Sequence, residues 1–149
     1  MTARQRALLI ESGLVLAATA AAVVAMIHLK DHVNRSEAMR AMGQLGEHVL
    51  AYRKEHGSLP PQSFVDGIED QLEGAVRIGN VRYRALWIGL DAPGDTILAY
   101  SQKRHPSSVL ADGYVVLRLD GRVEWMVNAE FEALLSTQQA PGDIEATRR

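Results

Sequence analysis

Ala7-Leu8-Leu9-Ile10-Glu11-Ser12-Gly13-Leu14-Val15-Leu16, continuing through Ala17 to Leu29, is the stretch on which the fold turns. Between Ser12 and Ile27 no side chain is ionisable, and Leu14, Val15, Leu16, Val23, Val24 and Ile27 supply most of the apolar bulk. A helix that crosses a bilayer needs about 20 mostly apolar residues, each adding roughly 1.5 Å of rise. Residues 7–29 meet that length if Glu11 is accommodated among them. A carboxylate inside an apolar helix is expensive and usually has a reason. It either reaches back to water at headgroup level or meets an opposite charge on a neighbour.

Three readings of this segment stand side by side. A secretory signal would use Arg4 and Arg6 as its basic region and Ala20-Ala21-Ala22 or Ala22-Val23-Val24-Ala25 as small residues for cleavage. Against it, the apolar run continues past those alanines to Ile27. A retained single-span anchor suits the length. Its orientation is nearly a tie by charge, with Arg4 and Arg6 before it and Lys30, Arg35 and Arg40 after it. The short tail ahead of the segment makes an inside N-terminus the simpler topology. The third reading is an assembly helix, and it turns on Glu11.

The totals narrow the rest. With 149 residues, removal of the first 29 leaves enough chain for one small core. A net charge of −2 provides no broad basic surface for nucleic acid. The chain has no cysteine, which excludes disulfides, thiolate metal sites and a cysteine nucleophile.

Apolar positions continue beyond the span at helical spacing. Ala38, Met42, Leu45, Val49 and Tyr52 step by four and three, with Met39 and Leu50 beside them. Glu37, Arg40, Glu47, Arg53 and Lys54 take the other faces. One long helix is therefore expected to run to His56. Gly57 stands at its C-cap, and Pro60-Pro61 forbids continuation.

These features resemble the type IV pilins and type II secretion pseudopilins. In that family a Phe-Thr-Leu-Ile-Glu string opens a long apolar helix, and here Ala7-Leu8-Leu9-Ile10-Glu11 stands in its place. The resemblance implies that Ala7 is the first mature residue. It also implies that Glu11 is the assembly glutamate, which pairs with the terminal amine of a neighbouring subunit. Arg6 stands where the family has glycine before the cleaved bond. Tyr52-Arg53-Lys54-Glu55-His56-Gly57-Ser58-Leu59-Pro60-Pro61 is similar to the family's turn from helix into head.

Beyond the turn, Ser63 is expected to cap a short helix through Phe64, Val65, Ile68 and Leu72. Its carboxylates Asp66, Glu69, Asp70 and Glu73 read as a solvated face and lack the spacing of a calcium loop. Val81–Ile88 alternates as a strand with Val81, Tyr83, Ala85 and Trp87 on one side. Asp91-Ala92-Pro93-Gly94-Asp95 is a turn, and residues 96–100 form a second strand. Arg82 and Arg84 are expected to project from one face, with Arg77 upstream. That is too weak a signal for nucleic acid.

Tyr114–Leu119 and Arg122–Val127 flank Asp120-Gly121, a two-residue hairpin turn. Asn128 is expected to cap a helix through Phe131, Leu134 and Leu135. This ending resembles that of the type II secretion protein G-like group, part of which carries a His-x9-Asp-Gly motif. Here His105 lies seven residues before Asp112-Gly113 and fifteen before Asp120-Gly121, and Arg122 replaces the usual histidine. No phosphate loop, nucleophile elbow or His-Glu-x-x-His string is present. His28 and His32 suit a membrane edge better than a metal. Ser107, Ser108, His105 and Asp112 do not amount to a triad.

The chain is thus expected to be α+β: a long N-terminal helix, transmembrane then amphipathic, packed on a small antiparallel sheet, pilin-like. The expected divisions are 1–6 as a cytoplasmic leader-like tail, 7–29 as the span and 30–57 as the amphipathic continuation. Residues 58–135 form the head and 136–149 a mobile tail. No enzymatic activity and no cofactor are expected. The resemblance implies a structural subunit or accessory component of a type II secretion or type IV pilus-like assembly. It would be a single-pass protein of the bacterial inner membrane with its head in the periplasm or exterior. Its partners would be the membrane and other pilin-like subunits or secretion machinery, copies of itself included, and no nucleic acid. The alternative from another class is a single-span binding module whose extracytoplasmic head never polymerises. A signal-cleaved hydrolytic domain is the remotest option.

Overall fold

The computed structural model describes residues 2–89, 91–105 and 111–139. Helix α1 runs over Ala3–His56. Thr2 caps its start, its hydroxyl accepting from the Gln5 N–H while the Gln5 side chain accepts from the Thr2 N–H. Residues 3–6, expected as a separate tail, are therefore helical. At the far end Gly57 adopts φ 71°, and its N–H donates to the Arg53 carbonyl. That is where the His-Gly-x-x-Pro-Pro string places the stop.

Helices α2 (Gln62–Glu69) and α3 (Ala75–Ile78) follow, then strand β1 (Arg82–Tyr83) and a single 3-10 turn, Ala85–Trp87. Strands β2 (Ile97–Lys103), β3 (Gly113–Arg118) and β4 (Val123–Val127) complete an antiparallel sheet in the order β1-β2-β3-β4. Helix α4 (Asn128–Gln138) closes the described chain.

Both faces of the sheet are covered. Ala38, Ala41, Met42, Leu45 and Val49 of α1 are fully buried against Leu98, Val115 and Leu117, together with Val65 of α2 and Ile78 of α3. Four of those five α1 residues belong to the stripe expected from the spacing, and Ala41 widens it. On the other face Ile97, Tyr100, Val116 and Met126 pack with Phe131 and Leu135 of α4. Val115, Val116 and Leu117 thus alternate between two cores, which makes β3 a continuous apolar run. A register shift between Ile97 and Ala99 breaks the alternation of β2, so that the consecutive Leu98 and Ala99 both enter the core under α1.

Four local expectations are corrected. Only Arg82 and Tyr83 of the expected strand 81–88 pair with β2, because the backbone turns at Arg84 and folds into the 3-10 turn. Helix α2 starts at Gln62 after Pro61 with no side-chain cap, so Ser63 lies inside its first turn. Helix α4 begins at Asn128 itself, and the Asn128 Oδ1 is buried without a hydrogen-bond partner. Finally, residues 136–138 belong to α4 rather than to a tail. Gln138 is tied into the head: its side-chain oxygen accepts from the Ile97 N–H at 2.8 Å. Of the expected tail, residues 140–149 lie outside the described residues.

The segment between α1 and β1 clasps the helix. Gln44 Oε1 accepts from the Glu73 N–H at 2.9 Å, and Arg77 pairs with Glu37 at 3.2 Å. Tyr83 donates its hydroxyl to the Pro60 carbonyl at 3.0 Å, and burial holds this phenol above the ordinary tyrosine pKa.

Candidate functional site

The N-terminal half of α1 has no packing partner among the described residues. Among the described residues it is the one helix long and apolar enough to cross a membrane, and no part of its most apolar window is buried. Leu14, Val15, Leu16, Val23 and Val24 are between 51 % and 71 % exposed, and Ile27 is half-buried. An apolar surface of this extent on an isolated chain marks a contact with lipid or with another protein. Among the described residues the only side-chain hydrogen bond along this window keeps polarity inward: Thr19 donates to the Val15 carbonyl at 2.9 Å.

Ala7 and Glu11 are exposed on this helix one turn apart. Among the described residues Glu11 makes no hydrogen bond and no ion pair. Gly13, Ala17, Ala21 and Ala25 follow at intervals of four. At about 100° per residue they form a band that starts about 160° from Glu11 at Gly13 and winds to about 40° from it at Ala25. Small residues at this spacing allow helices to approach closely within a bilayer. The helix therefore offers a close-packing band whose first members, Gly13 and Ala17, lie away from the carboxylate. The stripe was legible in the sequence as a four-residue period of small side chains, but hydrophobicity alone does not single it out.

The turn residues Asp120 and Gly121 lie at the other end of the molecule's logic: they brace the head on α1. The Gly121 N–H donates to the Arg118 carbonyl and the Arg118 N–H to the Arg122 carbonyl, so Leu119, Asp120 and Gly121 form a three-residue loop. The expected two-residue turn is corrected to this bulged form, in which the third position takes a left-handed conformation. Gly121 has φ 89°, and a Cβ there would meet Leu50 of α1 at 2.6 Å. Asp120 accepts from the Arg122 N–H at 3.0 Å and from its Nε at 2.7 Å.

Those bonds, the backbone one first, hold the Asp120 carboxyl below its ordinary pKa of 3.8. A depressed folded pKa contributes stability that is complete above the unfolded value and is lost as pH falls through the folded one. Asp120→Asn is therefore expected to be less stable than the natural chain at neutral pH, by a gap that closes below about pH 3.8. Denaturant midpoints of both proteins across that range measure it; a pH-independent gap would remove the charge from the explanation.

The remaining candidates do not converge. Arg84 is buried rather than projecting beside Arg82: its Nη1 donates to the Ile97 carbonyl and its Nη2 to the Gln138 carbonyl, both at 2.9 Å. Arg77 is occupied by Glu37. Asp112 accepts from the backbone N–H of His105 at 2.6 Å, not from its ring, while Ser107 and Ser108 lie outside the described residues. No group of three or more His, Asp or Glu with metal-binding geometry occurs among the described residues. Asp66, Asp70 and Glu73 are exposed, and burial raises the pKa of Glu69.

No family model matches the chain, and no curated protein and no solved structure is found to be similar to it.

Proposed function

We propose that the chain is a pilin-like structural subunit, anchored in the bacterial inner membrane by α1 and held in a type II secretion or type IV pilus-like assembly by the same helix. The head stands in the periplasm or exterior. The observation that carries this reading is a single unbroken helix with two regimes. Residues 38–49 bury one stripe in the head, while residues 7–29 expose an apolar surface that holds one carboxylate. Glu11 pairs with the amine of a neighbour that begins at Ala7, so two charges leave lipid together. The Gly13, Ala17, Ala21 and Ala25 stripe receives a further helix.

A second reading, the anchored binding module that does not polymerise, is favoured by one specific feature. Arg6 occupies the place of the family's glycine, and residues 3–6 continue the helix behind the Thr2 cap. The two readings separate on the mature N-terminus and on Glu11. A methylated start at Ala7, together with a tenfold or greater loss of sedimentable assemblies in Glu11→Ala, is the expected result; about 1.4 kcal/mol per contact suffices for each factor of ten. An unprocessed start with assemblies unchanged by Glu11→Ala would replace the filament subunit by the anchored module.

A further inference from the structure

Where α1 leaves its apolar segment, a pocket of about 200 Å³ opens between the helix and the head. Asp31 and Arg35 line it from α1, Arg77 from α3, and Lys103, Arg104 and His105 from the end of β2. Four cations from three elements thus converge. Glu37 neutralises Arg77 at 3.2 Å, which leaves three of them facing the single carboxylate of Asp31.

Each of the three is placed, and none has an ion-pair partner among the described residues. The Arg35 guanidinium lies 4.4 Å over the Trp125 ring. Arg104 is exposed, and among the described residues it donates only to Gln102 Oε1 at 3.4 Å. The Lys103 ammonium donates to the carbonyls of Arg77 and Ile78, and burial lowers its pKa, a penalty that a bound anion would relieve. His105 supplies a separate observation. It is only 8 % exposed, and its Nδ1 is buried with no hydrogen-bond partner among the described residues. His105 thus adds an unsatisfied polar group to a residue that lines the cationic pocket.

The height of the pocket identifies the ligand's source. If the span ends at Leu29, Asp31 stands about 3 Å and Arg35 about 9 Å further along the helix. The headgroup layer on each side of the hydrocarbon core is about 5–8 Å thick, so these residues lie within and just above it. We propose that this pocket takes the phosphate of an anionic phospholipid headgroup and so docks the head on the bilayer beside its own anchor. The guanidinium groups of Arg35 and Arg104 meet the phosphate oxygens, an arrangement in which charge and fork geometry both contribute. The inference rests on α1 being a span.

The test uses the full chain in vesicles of phosphatidylcholine and phosphatidylglycerol, with either lipid carrying a spin label on its acyl chain. The motionally restricted fraction reports which lipid sits against the protein. Phosphatidylglycerol is expected to be preferred at least fivefold, since each juxtamembrane cation contributes about a factor of five. Arg35→Gln with Arg104→Gln brings the preference close to parity, while Arg82→Gln, outside the pocket, leaves it unchanged. Equal association of both lipids with a protein that resists alkaline extraction would overturn the headgroup assignment and leave the span intact. Release by the alkaline wash would overturn the span and the assignment together. Binding of inorganic phosphate in detergent, with no lipid preference in vesicles, would assign the pocket to a free anion and overturn the lipid.

Discussion

Arginine at both Leu16 and Ala20 is expected to expel α1 from the bilayer. Both positions lie near the middle of residues 7–29, where an arginine costs about 3 kcal/mol on insertion scales. Two of them amount to about 6 kcal/mol, against an apolar segment whose own preference for the membrane is of similar size. The head is untouched, because neither residue contacts it and Leu16 is 71 % exposed. Fractionation after an alkaline wash measures the outcome. The natural chain stays with the membranes, and the doubly substituted chain moves to the soluble fraction with its head folded. Retention of the variant would mean that something other than the apolar helix holds the protein there. Glu11 already sits within this segment, so a third charge enters a helix with little tolerance left.

The second large effect concerns the head. Phe131→Ala is expected to lower its stability by about 3–5 kcal/mol. Phe131 is 2 % exposed, stacks on Tyr114 at 3.8 Å and meets Tyr100 at 4.8 Å between ring centroids. Its removal empties the centre of the core between α4 and the sheet. The consequence reaches further than that cavity. Helix α4 also positions Gln138, which accepts from Arg84 and from the Ile97 N–H, so its loosening leaves a buried guanidinium with one carbonyl fewer. Chemical denaturation of the full chain in detergent checks the magnitude; a loss below about 1 kcal/mol would mean that α4 is not part of the cooperative unit.

Much of this architecture was readable because single residues with strong local physics mark it. Gly57 ahead of Pro60-Pro61 ends α1 where a left-handed residue is needed, and the 38-42-45-49 spacing names the buried stripe. The β3–β4 hairpin follows from two apolar runs around Asp120-Gly121. What escaped depends on long-range partners. Residues 81–88 alternate like a strand, but Arg84 is drawn inward by the carbonyls of Ile97 and Gln138, and no local pattern distinguishes a buried arginine from a surface one. The second core was hinted at by the unbroken Val115-Val116-Leu117 run, the signature of a strand covered on both faces. At the candidate site the carboxylate and the long apolar run were legible in the order of residues alone. The cationic pocket beside Arg35 was not, since its members come from positions 31, 35, 77 and 103–105.

The central claim is that α1 meets the same helix of other subunits within the membrane. Because the chain contains no cysteine, Gly13→Cys with Ala17→Cys places two thiols one turn apart, so that a neighbour offset by the Glu11-to-Ala7 turn brings one of its thiols level with the other. Oxidation of membranes that carry this variant at its native level, followed by separation under non-reducing conditions, reads the contact directly. The account predicts a prominent disulfide-linked dimer that falls at least tenfold when Glu11→Ala is added. A band that stays monomeric, or a dimer indifferent to Glu11, would contradict it.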